Sequence, residues 1–154
     1  MNYDARRVPL LLAQVGNLSP LTGSTALTPL YTSVVPALAM DKNGQLRIWV
    51  AFDFSNSANL KTFQVTFGGQ VIFTTTTTTN NWLGRWIHVF AKGVTNAQTC
   101  EPGAAGSGLG FQTAGSNQLT VDTTVAQNLV VSAQLASGSD SITLTQHSVE
   151  LLNF

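Results

Sequence analysis

The chain has 154 residues, 44% of them apolar and only 9% charged, and seven basic side chains balance seven acidic ones. A typical globular domain carries about 25% charged residues, so the polar exterior here must come from Thr, Ser, Asn, Gln and Gly. Scattered Lys and Arg set nucleic acid aside as a partner, because phosphate binding needs a basic cluster, and no apolar run is long enough to cross a membrane.

At this length roughly 68–70% of the unfolded surface can be buried, which suits one domain needing no metal, cofactor or disulfide. The one cysteine, Cys100, excludes an intrachain bridge. Low charge leaves little electrostatic protection against association, which points to a permanent assembly. Every Lys and Arg precedes Gly93, and the remainder carries only Glu101, Asp122, Asp140 and Glu150. Either this is chance, or it marks complementary faces of neighbouring subunits.

Residues 1–25, "MNYDARRVPLLLAQVGNLSPLTGST", show little period-2 alternation, two prolines and apolar islands. They read as an N-terminal arm in front of a domain at 26–154. Leu10, Leu11 and Leu12 begin a short helix, lie extended against a partner, or wrap their own domain. Arg6 and Arg7 before an apolar run suggest a signal peptide, but the run is short, contains Pro9 and lacks a cleavage site.

From Ala26 onward the pattern is that of strands. "DKNG" is a turn signal leading into "QLRIWVAFDF". Leu46, Ile48, Val50, Phe52 and Phe54 face one side; Arg47, Trp49, Ala51 and Asp53 face the other. "KTFQVTF" alternates likewise, with Phe63, Val65 and Phe67 inward, and Gly68–Gly69 forms a tight hairpin into "QVIF". The threonine tract 74–79 continues that strand, since Thr is β-branched and suits extended backbone. Asn80 and Asn81 then supply a turn. Trp82 and Trp86 share a face of a straight strand, unless Gly84 breaks the relation. "WIHVFAK" is apolar on both sides, so it reads as central or covered. "TCEPGAAGSGLGFQTAGSN", with the glycine-rich stretch 103–110, reads as a long exposed loop.

Two more strands close the chain, "QNLVVSAQL" and "SITLTQHSVELL", joined by "SGSD". In the last strand Ile142 and Leu144 are even-numbered and Val149 and Leu151 odd-numbered. One extra residue must be absorbed, which predicts a β-bulge within Thr145–Ser148. Seven or eight strands separated by turns give an all-β fold, an antiparallel two-sheet jelly-roll sandwich.

Catalytic chemistry is weakly represented, and the expectation is no enzyme. His88 reads as a packing residue and His147, in the expected bulge, as exposed; neither lies in a motif. Asp53 and Glu150 meet only if the sheets bring them together. Cys100 needs an approaching histidine to act as a nucleophile. Metal ligands are too scattered to suggest a site. Trp49, Trp82 and Trp86 either fill a core or subunit contact or stack on a sugar.

The run "LRIWVAFDFSNSANLKTFQVTFGGQVIF", then Trp86, then "VDTTVAQNLVVSAQLASGSDSITLTQHSVELL", resembles small tailed-phage structural proteins. The matching residues are Leu46 to Phe54, Lys61 to Phe73, Trp86, Asp122 and Leu129 to Leu152, about two-thirds of the chain. The resemblance implies a jelly roll like the tumour-necrosis-factor shape, forming a homotrimer. It implies a capsid cement or decoration protein on the virion surface, made in the host cytoplasm and bound to the major capsid protein. The alternative is a tail-fibre or spike component that binds a host receptor or glycan. On the cement reading Arg6, Arg7 and Leu10 to Leu12 contact the shell, and the jelly roll, with Trp49, Trp82 and Trp86, supplies the trimer seam. The threonine tract and the 103–110 stretch depart from the family pattern.

Overall fold

The computed structural model describes residues 9–101 and 117–153. Among these all regular structure is extended, in eleven strands. Sheet A holds β1 (Leu10–Gly16), β11 (Ser141–Leu152), β4 (Gln45–Phe54), β7 (Trp82–Ala91), β8 (Gln98–Glu101) and β9 (Asn117–Leu119) in that order, with β2 (Leu21–Thr22) also paired to β11. Sheet B holds β3 (Thr28–Val35), β10 (Gln127–Leu135), β5 (Lys61–Phe67) and β6 (Gln70–Thr77). Early and late strands interleave in both layers, and the chain passes from one layer to the other at β2–β3, β3–β4, β4–β5, β6–β7, β9–β10 and β10–β11. That is the jelly-roll wrap of two antiparallel sheets, as the strand pattern predicts.

Alternation decides what lies between the layers. Leu46, Ile48, Val50 and Phe52 of β4 face Phe63, Val65 and Phe67 of β5, and all are fully buried. Phe63 joins the sheets, with its ring centroid 4.8 Å from Phe52 and 5.1 Å from Phe54. The expected turns form as well. Gly44 N–H donates to Asp41 C=O, and Gly68 and Gly69 both take positive φ, 55° and 78°, as a two-residue hairpin of this hand requires.

Four register shifts mark the described strands; one falls at Leu30 of β3, and the other three shape the sandwich. In β11 the register shifts between Leu144 and Gln146, so Thr145 is the extra residue and its hydroxyl donates to Ala51 C=O at 3.1 Å. In β6 the shift falls at Ile72, and Ile72 and Phe73 are both buried. Side chains from the β8–β9 end of sheet A hold that site: Cys100 Sγ donates to Ile72 C=O and Asn117 Nδ2 to Val71 C=O. The third bulge, at Leu12, corrects the expected arm. Leu10–Gly16 is paired antiparallel to β11, so the sandwich begins at Leu10 rather than at Ala26. Leu12 and Ala13 both pack against the core, which erases the period-2 signal of β1. Arg6 and Arg7 lie outside the described residues, as does the 103–110 stretch. Within the expected loop, Thr99, Cys100, Glu101 and Asn117 are instead strand residues.

The threonine tract does continue its strand, and β6 ends at Thr77. A buried lysine holds the far end. Lys61 Nζ donates to Ser57 Oγ at 2.7 Å, Asn59 C=O at 2.9 Å, Thr78 C=O at 3.0 Å and Ser57 C=O at 3.1 Å. Its ammonium is thus solvated by protein dipoles in place of water, as a buried charge requires. This ties loop 55–60 to the end of the tract.

Candidate functional site

The outer face of sheet A gathers the three tryptophans. On β7 the residues Trp82, Gly84, Trp86, His88 and Phe90 alternate with inward Ile87 and Val89, so they form one outward row. Gly84 does not interrupt the row; it completes it. A Cβ there would overlap the ring of Trp82 and crowd that of Trp49, so only glycine lets the Trp82 indole lie on the backbone. Trp49 of β4 stands directly opposite Trp86, with ring centroids 5.2 Å apart. Arg47 holds its guanidinium 5.2 Å over the Trp86 ring and pairs with Glu150 at 3.3 Å. Trp82, Trp86 and Phe90 keep exposures of 56%, 41% and 38%, so the row is a surface, not a core. β7 is therefore interior to its sheet, and among the described residues nothing covers it on this face.

A groove crosses the same face over the β11 bulge. Its floor is Thr145 to Ser148; one wall is Trp49 and Trp82, and the other is Gln14 to Asn17 of β1 and the segment after it. The Trp49 indole N–H donates to Gln146 Oε1 at 3.0 Å, which fixes both side chains. Asp53, cross-strand from Trp82, lies at one end.

The candidate acid–base and nucleophilic groups do not assemble. Asp53 pairs with Thr143 and Glu150 with Arg47, which sets the two carboxylates roughly 20 Å apart along the sheet. Cys100 is buried, and burial pushes its thiol up to about 12. His88 is half-buried between Trp86 and Phe90, and burial, with Arg47 beside it, lowers its pKa.

His147 corrects the expectation of exposure. The bulge falls at Thr145, so His147 already has the inward parity of Val149 and Leu151, and it is 1% exposed. Its Nδ1 lies 3.1 Å from Trp49 C=O and its ring meets Tyr31 edge-on at 5.4 Å. A carbonyl only accepts, so Nδ1 carries the proton and Nε2 is left buried without a hydrogen bond. Burial lowers the pKa, consistent with a neutral ring.

Of the expected shell-contact residues, Leu10 and Leu11 are 58% and 52% exposed and Leu12 is half-buried at its bulge. β1 ends sheet A, and among the described residues its outer edge pairs with no strand.

No protein-family model matches the chain. No curated protein sequence matches it either. Among solved structures, the chain is similar to the VP2 subviral particle of infectious bursal disease virus, at 12% identity and a TM-score of 0.36, covering 99% of this chain and 45% of that one. It is likewise similar to the structure of the Gx strain of the same virus, at 11% identity and a TM-score of 0.31, covering 96% and 40%. The chain thus spans less than half the length of the solved chains it matches. Its strand order, rather than these likenesses, identifies the jelly roll.

Proposed function

We propose that this chain is a virion structural protein, a non-catalytic jelly-roll subunit that trimerises and binds the major capsid protein lattice as cement. The observation that carries the reading is the free edge of sheet A. β1 reads "LLLAQVG", without a charge or a proline, and it presents exposed Leu10 and Leu11 beside backbone N–H and C=O groups that pair with no strand among the described residues. An uncharged apolar edge is a template for a strand from another chain. In a lone soluble protein it is a liability that charges, prolines or bulges normally blunt, and within β1 only the Leu12 bulge does so. The near absence of charge elsewhere leaves little to oppose close packing of copies. Threefold association would match threefold lattice points and multiply weak contacts through avidity.

Light scattering on the isolated protein should give three times the monomer mass, and purified heads should carry many copies. Leu10→Lys with Leu11→Lys should abolish incorporation into heads while leaving the circular dichroism spectrum intact. A monomer that is scarce in particles would sink the reading.

A further inference from the structure

The groove over the β11 bulge is where exposed aromatic surface meets hydrogen-bonding side chains with unused capacity among the described residues. It consists of two adjoining hollows, about 640 Å³ and 370 Å³, that share Gly16 and Gln146. Hollows of this size lie in the range of small-molecule sites. The Asp53 carboxylate and the side chains of Gln14, Asn17 and Ser148 make no side-chain hydrogen bond or ion pair with another described residue. Gln146 uses only its oxygen, on Trp49, and keeps its NH₂ to donate. Trp82 rests one face on Gly84 and leaves the other open.

We propose that this groove is a saccharide-binding site that takes a neutral oligosaccharide, with Trp82 as the platform and Asp53, Gln146, Gln14 and Asn17 as hydrogen-bonding groups. A pyranose ring carries a patch of C–H groups on one face and vicinal hydroxyls around its rim. The C–H patch matches a flat indole whose face is electron-rich. Each hydroxyl both donates and accepts, which matches planar amides and a carboxylate acceptor. Other ligand classes fit less well. Among the described residues no Lys or Arg lines the groove, so a phosphate-bearing ligand finds there only the repulsion of Asp53. An acyl chain would leave the amides without partners.

The groove is also held in shape before any ligand arrives. The Trp49–Gln146 bond fixes the wall, the Gly84 backbone supports the platform, and the Thr145 bulge, bonded to Ala51, sets the floor. Such prior order lowers the entropic cost of binding. The proposal goes beyond the assembly reading and does not rest on it, because the sheet face and the outer edge of β1 are different surfaces.

The test uses the full chain in solution. Tryptophan emission and indole N–H NMR signals are followed during titration with maltotriose, cellotriose, mannotriose and tri-N-acetylchitotriose. At least one sugar should give a saturable shift at millimolar concentration. Trp82→Ala should abolish it, Asp53→Asn should weaken it about tenfold, and Phe90→Ser, beyond the groove, should leave it unchanged. Gln146→Ala should weaken it too and guards against a folding defect in any single variant. Absence of a saturable response to all four sugars overturns the proposal, as does a response that survives Trp82→Ala. A changed mass in light scattering for Trp82→Ala, with no sugar bound by the parent, would make the face a contact between copies and would also overturn it.

Discussion

The two outer faces of this sandwich share a backbone architecture and differ in chemistry. Sheet B shows solvent Thr62, Gln64 and Thr66 of β5, Thr74 and Thr76 of β6, Asn128, Val130 and Gln134 of β10, and Thr32 with the single well-exposed apolar residue Val34 of β3. Its four strands contain one charged residue, Lys61, and that residue is buried. Sheet A shows Trp49, Trp82, Trp86, His88 and Phe90, with Arg47 over the Trp86 ring and paired to Glu150. Threonine stabilises a strand through its branched Cβ and hydrates its hydroxyl, so a threonine face needs no occupant. An exposed aromatic row is different, because contiguous apolar surface marks a place of contact. The comparison separates a face that supports from a face that engages.

That separation can be broken or sharpened by substitution. The largest effect is expected between the faces. Phe63→Ala should cost about 3–5 kcal/mol in urea denaturation, because Phe63 packs on both Phe52 and Phe54. Next is Lys61→Met, which keeps the length but removes the ammonium from four oxygens. It should cost about 2–3 kcal/mol and speed amide exchange in loop 55–60 and at the end of the threonine tract. On the engaging face, Gly84→Ala forces the Trp82 ring off its seat. It should cost about 1–3 kcal/mol and change tryptophan emission; an unaltered emission spectrum would deny the seat.

A pH effect comes next. Burial holds His147 below its ordinary value of 6.5, so the unfolded chain takes up the proton first. Stability is therefore full above pH 6.5 and is lost as pH falls through the folded-state value. The urea midpoint should be lower at pH 5 than at pH 7.5, and His147→Gln should flatten that slope. His88 is shifted in the same direction and accounts for a residual slope; equal slopes in parent and variant would contradict the burial argument. The smallest effect belongs to the supporting face, where Gln64→Lys should stay within about 0.5 kcal/mol of the parent.

Much of this was legible from period and parity. The inward rows of β4 and β5, the "DKNG" and Gly68–Gly69 turns, and a bulge inside Thr145–Ser148 all follow from alternation. The same rule carried a signal for Lys61 that is easily missed: it shares the parity of Phe63, Val65 and Phe67, so it points inward despite its charge. β1 was concealed because the Leu12 bulge cancels alternation within seven residues. The burial of His147 does not follow from the sequence, because its side depends on which residue of the bulge window is the extra one. The shared face of Trp82 and Trp86 was readable from spacing. Their meeting with Trp49, and the approach of Gln14, Asn17, Asp53 and Gln146, was not. Those residues come from strands far apart in the chain, and only the jelly-roll order sets β1, β11, β4 and β7 side by side.

Cys100 has a practical consequence for mapping these surfaces. The chain contains no other thiol, and this one is shut inside the sandwich with its Sγ–H on Ile72 C=O. At neutral pH it offers almost no thiolate to an alkylating reagent. A cysteine introduced on the β1 edge or beside the groove would therefore be modified selectively in the folded protein. Spin labels, fluorophores or crosslinkers can be placed one position at a time without first removing the native sulfur.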